Sequence, residues 1–238
     1  MESPACDSSI SAFDGIRAVS PALERYTTDV LLGDVWKRPH LSAQDRSIVT
    51  LSVLIARNQS AEMPYYLDLA LDSGLKPSEI SEIVTHLAFY SGWANALAAV
   101  KVTNAVFKRR GIDATQLAPA SADLLPIDAA AIAQLETAAQ NFGAVAPGVV
   151  QFSTEVLFGD LWLRPALTPR DRSLATLSTV VATGQFPQLA SYVNRAMDNG
   201  LTQAQLSEVM TQLAFYTGWS SVFTVLPIVK DVFEKRPK

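Results

Sequence analysis

The sequence predicts an all-α protein made of two tandem copies of one helical unit, packed as a pseudo-twofold bundle. Apolar residues recur at helical spacing, and no segment alternates with a period of two, so strands are not expected. Two stretches occur twice: LLGDVWKRPHLSAQDRS at 31–47 returns as LFGDLWLRPALTPRDRS at 157–173, and LAFYSGW at 87–93 returns as LAFYTGW at 213–219. A constant offset of 126 residues relates both pairs, so the copies align without an insertion.

The first two helices of the unit have clear boundary signals. Pro21 lies near the start of the first helix, and Gly33 follows its end. Ser42 is a candidate N-cap for the second helix, with Asp45 at the capping-box position. The apolar residues that follow have helical spacing, which predicts a helix with a buried face: Ile48, Leu51, Leu54 and Ile55.

Three further helices complete the unit. The third is predicted over about 62–72 and stops at Gly74; the fourth begins near Pro77. The fifth, over 93–108, is rich in alanine and can pack closely against its neighbours. Between the copies, a Pro/Ala-rich linker precedes a short helix predicted over about 126–141. Five helices, doubled, predict an all-α body.

Composition excludes several classes of partner and site. With 238 residues, 49% hydrophobic, the chain can bury a large core, and a net charge of −4 without a Lys/Arg block argues against a nucleic-acid partner. One cysteine, Cys6, permits neither an internal disulfide nor a CxxC pair. Two histidines and scattered acids form no metal signature, so no metal site is expected. No stretch has the length and hydrophobicity of a membrane span, so a cytoplasmic protein without a membrane partner is predicted. The alternative is an exported protein whose signal peptide has been removed.

The stretch QSAEMPYY at 59–66 places Glu62 and Tyr66 four residues apart, on one helix face. A phenol beside a carboxylate can position a substrate or move a proton. The alternative is that Glu62 only complements the helix dipole and Tyr66 lies in the core. In the second copy, QFPQLASY has Gln188 for Glu62 and Ser191 for Tyr65.

His86 shares a helical stripe with Tyr90 and Trp93, and its counterpart in the second copy is Gln212. An imidazole near Glu62 would form an acid–base pair suited to neutral pH. The alternative is a structural histidine satisfied inside the core. Arg57, at the end of the second helix, either binds a substrate carboxylate or pairs with Glu62.

Residues that both copies share are best explained by architecture, whereas residues that differ are candidates for a task done once. Arg46 and Trp93 recur as Arg172 and Trp219. Glu62, Tyr65 and His86 do not recur. The hypothesis is therefore one working site in the first copy.

The strings GDVWKRPHLSAQDRS and HLAFYSGW, with their second copies, resemble the carboxymuconolactone decarboxylase family of the alkylhydroperoxidase-like superfamily. The resemblance implies a first repeat at 1–110, a linker with a lead-in helix at 111–144 and a second repeat at 145–238. Single-unit members form hexameric rings, which implies a homo-oligomer here, a trimer of two-repeat chains.

The resemblance also bears on the reaction. Peroxidase members carry a Cys-x-x-Cys-x-x-x-His motif, but the matching positions here are Gln59, Glu62 and Tyr66, which disfavours peroxide reduction. Decarboxylase members have Glu followed four residues later by His, and this chain keeps only the acid. The resemblance implies a cofactor-free enzyme that acts on a small lactone, cyclic ketone or enol-type acid by decarboxylation or a related proton transfer.

In this hypothesis, Glu62 or His86 moves the proton and Tyr66 orients the substrate. Arg57 or Arg46 holds the substrate carboxylate. Further substrate contacts are expected from Tyr65, Tyr90 and Trp93. The alternative is a non-catalytic ligand-binding or assembly protein with the same fold, and a peroxidase-type redox protein is a third reading.

Overall fold

The structure is a computed structural model that describes Phe13 and residues 15–236. Those residues form helices and loops without a strand, so the all-α prediction is confirmed. The first repeat contains α1 Ile16–Val19, α2 Pro21–Arg25, α3 Ala43–Ala56, α4 Met63–Asp72, α5 Pro77–Ser91 and α6 Trp93–Arg109. The linker carries α7 Ala129–Phe142, and the second repeat contains α8 Pro147–Phe152, α9 Pro169–Thr183, α10 Leu189–Asp198, α11 Gln203–Thr217 and α12 Trp219–Lys235.

In each repeat, one early helix ends in a π-helical segment. Tyr26–Leu32 continues α2, and Ser153–Phe158 continues α8. The wider turn brings backbone carbonyls against the glycine that follows it: a Cβ at Gly33 would lie 2.5 Å from the carbonyl oxygen of Asp29. Gly33 therefore ends the helix as predicted, because no larger residue fits there.

The two central helices are α3 and α9, which pack against each other. Ser42 caps α3 by accepting a hydrogen bond from the Asp45 amide at 3.0 Å, as the sequence predicts. All side chains of α3 from Asp45 to Ala56 are buried, which is typical of a helix at the centre of a bundle. α9 has the same burial over most of its length.

The repeats exchange contacts across the pseudo-twofold axis. α5 of the first repeat packs on α9 of the second, and α11 of the second packs on α3 of the first. Polar side chains on α3 and α9 therefore have neighbours from both repeats. None of the helices in the described residues is both long and apolar enough to cross a lipid bilayer.

The linker packs on the second repeat. The carbonyl oxygens of Pro119 and Ala120 accept hydrogen bonds from Arg164. α7 begins one turn later than predicted, at Ala129, because the Asp128 side chain caps it by accepting from the Ala131 amide. Cys6, the only cysteine, lies outside the described residues.

Candidate active site

Two buried ion-pair networks lie on either side of the pseudo-twofold axis. In one, Arg46 is fully buried and donates to Glu208, to Gln212 and to the backbone carbonyl of Arg38. Arg38 adds a bidentate pair to Glu208. These bonds hold the pKa of Glu208 below its ordinary value, with the bond from Arg38 the main cause.

The related network joins Glu82 of the first repeat to Arg164 and Arg172 of the second. Arg172 donates to Glu82 at 2.6 Å, and Arg164 binds the same carboxylate through two nitrogens. Burial favours the neutral acid, but the hydrogen bonds from the two arginines outweigh burial and lower the pKa of Glu82. Both networks connect the repeats and hold charges in fixed positions.

His86 belongs to this second network, at the position that Gln212 holds in the first. Its Nε2 lies 2.7 Å from the Thr176 hydroxyl and its Nδ1 lies 3.4 Å from the Arg172 guanidinium. Thr176 uses its own hydrogen on the Arg172 carbonyl, so we infer that Nε2–H is the donor and Nδ1 the acceptor. Gln212 makes the same pair of bonds, accepting from Arg46 and donating to Thr50.

This geometry requires a neutral imidazole. Full burial, with the charge of Arg172 as a second cause, lowers the pKa of His86 well below its ordinary value. His86 therefore acts as a hydrogen-bonding equivalent of a glutamine. The alternative of a satisfied structural histidine agrees with these contacts.

Three aromatic side chains form a hydrogen-bonded chain beside the first network. Trp36 Nε1 donates to the Tyr216 hydroxyl at 2.9 Å, and the Tyr216 hydroxyl donates to that of Tyr66 at 3.0 Å. Burial raises the pKa of Tyr216 to about 12 and raises that of Tyr66 further. Both phenols stay protonated at neutral pH.

That hydroxyl lies in a cavity of about 590 Å³, which we name the repeat-one pocket. Its wall includes Leu31, Asn58, Glu62, Tyr66, Phe215 and Tyr216. Glu62 is exposed at the start of α4, and its carboxylate makes no capping hydrogen bond. The predicted pairing of Glu62 and Tyr66 on one face is confirmed, with Tyr216 of the second repeat as a partner that was not predicted.

The predicted acid–base pair of Glu62 and His86 is wrong. Glu62 faces the repeat-one pocket, whereas His86 is enclosed by Arg172, Thr176, Tyr90 and Trp162. Helix packing causes this separation, because α5 packs on α9 and so places His86 against the second repeat.

Neither arginine predicted as a carboxylate clamp lines the repeat-one pocket. Arg46 is buried in its network with Glu208. Arg57 is exposed and donates through Nε to the Ala182 carbonyl at 2.9 Å, which ties the end of α3 to that of α9. The structure therefore assigns both side chains contacts between the repeats.

The remaining predicted contacts are spread over the molecule. Tyr65 is half-buried and packs edge-on against Tyr66, next to the repeat-one pocket. Trp93 is 59% exposed at the start of α6, contacts Phe89 and does not line the repeat-one pocket, where a substrate contact was predicted. Tyr90 lies in the second repeat's cavity.

That cavity, of about 600 Å³, is the repeat-two pocket; its wall includes Tyr90, Gln134, Phe158, Gln188, Tyr192 and Arg195. Trp162 Nε1 donates to the Tyr90 hydroxyl at 2.9 Å, as Trp36 does to Tyr216. Tyr192 instead donates to Gln188, so the Tyr192 and Tyr90 hydroxyls are not hydrogen-bonded to each other as those of Tyr66 and Tyr216 are. Within the described residues, no cluster of three or more His, Cys, Asp or Glu side chains is arranged to hold a metal ion.

Sequence reasoning missed Tyr216, Trp36 and Arg195. Tyr216 and Trp36 recur as Tyr90 and Trp162, and recurrence in both copies indicates architecture rather than a site. The available signal was the repeated Phe-Tyr pair in LAFYSGW and LAFYTGW. Arg195 had a signal too, since its counterpart is Leu69.

The carboxymuconolactone decarboxylase family model matches residues 21–105 and 147–231. The chain belongs to this family. The two matched segments contain the Glu62–Tyr66 pair and its Gln188–Tyr192 counterpart, whereas α7, which also lines the repeat-two pocket, lies outside both segments.

Two curated relatives of this family member carry decarboxylase names. It is 35% identical over 80 residues to 4-carboxymuconolactone decarboxylase of Acinetobacter baylyi, a match covering 34% of this chain and 60% of the relative. It is 34% identical over 76 residues to nitrosuccinic acid decarboxylase of Metarhizium robertsii, covering 32% and 53%. The matches thus span little more than half of each relative.

A solved structure from Burkholderia xenovorans, assigned as a gamma-carboxymuconolactone decarboxylase subunit, has the same fold. It superposes with a TM-score of 0.58 over 97% of this chain and 92% of the other, at 17% sequence identity. At this identity the likeness concerns the fold alone. Together with the curated relatives, the family match supports a decarboxylase-family protein.

Proposed function

We propose that this protein is a cofactor-free decarboxylase whose working site is the repeat-one pocket. The substrate is a small acid whose carboxylate is attached to a carbon conjugated with a lactone, ketone or nitro group. The observation that supports this most is the Tyr66 hydroxyl, hydrogen-bonded to Tyr216, beside the carboxyl group of Glu62, which makes no capping hydrogen bond.

The two relatives' names suggest what such substrates share. In carboxymuconolactone and in nitrosuccinic acid, an electron-withdrawing group can accept the electron pair that carbon dioxide leaves behind. The C–C bond to the carboxylate breaks, carbon dioxide departs, and the pair moves onto an oxygen of the lactone or nitro group. A proton then adds to carbon, so the net change exchanges a carboxylate for a hydrogen.

Each site residue has one task in this sequence. Tyr66 donates a hydrogen bond to the oxygen on which negative charge collects, because burial keeps its phenol protonated. Glu62 delivers the proton to carbon and regains one from solvent, to which it is exposed. Leu31 and Phe215 supply apolar parts of the pocket wall.

The test is to incubate the purified chain with 4-carboxymuconolactone and, separately, with nitrosuccinic acid, and to measure carbon dioxide release. We expect turnover of at least one. In deuterium oxide, the product should carry one deuterium at the carbon that accepts the proton. Absence of carbon dioxide release from either compound, with folded protein, contradicts the proposal and favours the non-catalytic ligand-binding alternative that the loss of the motif histidine at Tyr66 suggests.

A thiol-dependent peroxide assay is the matched test of the redox alternative. Glu62 and Tyr66 occupy positions where peroxidase members have a cysteine and a histidine, so the pocket offers no thiol. We expect no peroxide consumption. Peroxide consumption that disappears in Cys6→Ser would reverse this assignment.

We also propose that the chain assembles with itself, as a trimer of two-repeat chains. Equivalent apolar side chains are exposed on α6 and α12 of the described residues: Trp93, Leu97 and Val100, and Trp219, Phe223 and Leu226. Such apolar faces are typical of subunit interfaces. Light scattering after size exclusion should give three times the chain mass of 25.7 kDa, and Trp219→Glu should lower it.

A further inference from the structure

The repeat-two pocket contains a cation that the proposed reaction does not use. We propose that this pocket is a separate binding site for a small planar carboxylate, with Arg195 as its anchor. The proposal does not depend on turnover in the repeat-one pocket.

The charge of Arg195 has no counterion in residues 15–236. Its guanidinium lies over the rings of Phe158, at 4.9 Å, and Trp162, at 5.0 Å. The hydrogen-bond partner is the neutral amide oxygen of Gln134 on α7. Of the two nearby acids, Asp198 pairs with Arg236 and Asp128 caps α7. A half-buried cation without a counterion strongly favours an anionic ligand.

The rest of the pocket suits a flat acid. Tyr192 donates its hydroxyl hydrogen to the Gln188 amide oxygen, which leaves the Gln188 NH₂ group as a second donor. Leu157, Phe158 and Ala131 supply apolar walls that can cover the faces of a ring. A cavity of about 600 Å³ holds one ring with its substituents.

The fold does not require an arginine at this position. Leu69 occupies the equivalent place in α4, where an apolar side chain serves the same helix. The acid, in contrast, is present only in the first repeat, because Gln188 occupies the position that corresponds to Glu62. Among the described residues, Glu62 is thus the acid in the wall of the repeat-one pocket, which has no arginine, whereas Arg195 is the cation in the wall of the repeat-two pocket, which has no acid.

Titration calorimetry of the full chain with benzoate, and with benzamide as the neutral analogue of the same shape, tests the proposal. We expect one benzoate per chain and at least tenfold weaker binding of benzamide. Arg195→Leu, which installs the residue of the first repeat, should weaken benzoate binding at least tenfold. The matched control is Arg25→Leu, since Arg25 also stacks on a ring, that of Tyr26, but lies outside both pockets.

Two more variants keep the test decisive. Arg195→Lys preserves the positive charge, so this variant should bind benzoate more tightly than Arg195→Leu does. Circular dichroism shows whether each variant is folded, and the lysine variant keeps the test valid if the leucine variant folds poorly. Glu62→Gln should bind benzoate in the repeat-two pocket as the wild type does, whatever its turnover. The proposal is overturned by undetectable benzoate binding, by equal binding of benzamide, or by unchanged binding in Arg195→Leu.

Discussion

The two pockets share one frame but carry opposite charges. Each has a tryptophan that donates to a tyrosine of the other repeat, Trp36 to Tyr216 and Trp162 to Tyr90, above a buried arginine–glutamate network. The repeat-one pocket adds the carboxylate of Glu62 and a linked pair of phenols. The repeat-two pocket adds the guanidinium of Arg195 and places an amide where the acid was.

This comparison distinguishes side chains that the fold requires in both repeats from side chains that give each pocket its own charge. Side chains of the frame are buried and bonded to each other, so a change there affects both repeats at once. Glu62 and Arg195 lie in the pocket walls, where the frame tolerates an acid, an amide, a cation or a leucine.

The largest effect should come from Glu62→Gln, which gives the repeat-one pocket the residue of the repeat-two pocket. With 4-carboxymuconolactone or nitrosuccinic acid, whichever the protein decarboxylates, kcat/KM should fall by about 10² to 10⁴, the range for loss of a general acid. Urea unfolding should change little, because Glu62 is exposed and makes no capping bond.

The mirror change, Gln188→Glu, is the control. Turnover should stay near that of the wild type, because the repeat-two pocket lacks the linked phenols. If Gln188→Ala abolishes turnover while Glu62→Gln spares it, the working pocket is the other one.

Glu82→Gln should destabilise the fold by about 3 to 5 kcal/mol, because it leaves two buried arginines without their carboxylate. Arg164 and Arg172 have side-chain exposures of 11% and 0%. The matched change, Glu208→Gln, should be milder, about 1 to 3 kcal/mol, since solvent can hydrate Arg38, whose side chain is 42% exposed. Urea denaturation at one fixed chain concentration measures both, and equal losses would contradict the argument.

Tyr66→Phe removes the hydroxyl that faces the repeat-one pocket. Turnover should fall about tenfold, which corresponds to about 1.4 kcal/mol for one hydrogen bond to the developing charge. Tyr192→Phe makes the same chemical change in the repeat-two pocket and should leave turnover within about twofold. Similar losses in both variants would mean that the phenols act through packing.

The smallest effect concerns pH. Because the folded-state pKa of His86 is depressed, the unfolded chain binds a proton near pH 6.5 that the folded chain does not. Stability from this residue is therefore present above the ordinary histidine pKa and is lost as pH falls below it, by at most about 1.4 kcal/mol per pH unit.

His86→Gln copies Gln212 and should remove this component. Denaturation curves at about pH 7.5 and 5.5 should show a smaller loss of stability in the variant. His40 is present in both proteins, so its contribution cancels in the difference. An identical pH dependence would contradict a neutral, enclosed His86.

Much of the fold could be predicted because its signals are local. Ser42 and Asp45 mark one helix start, Gly33 marks a helix end, and the repeat offset gives the internal symmetry. Of the site, helical spacing predicted that Glu62 and Tyr66 share a helix face, and both line the repeat-one pocket. It could not predict Tyr216 as their neighbour, because residues 150 positions apart are brought together by packing alone.

By itself, then, the amino-acid sequence determined the helices, their duplication and the residues that break the symmetry. Only the tertiary structure decided which of those residues meet. Spacing along one helix says which side chains share a face, but not which helix covers that face. Here α5 and α11 cross to the opposite repeat, so His86 leaves Glu62 for Arg172 and Thr176, while Tyr216 arrives beside Tyr66. The physical reason is burial: α3 and α9 are buried along most of their length and are covered by helices from both repeats.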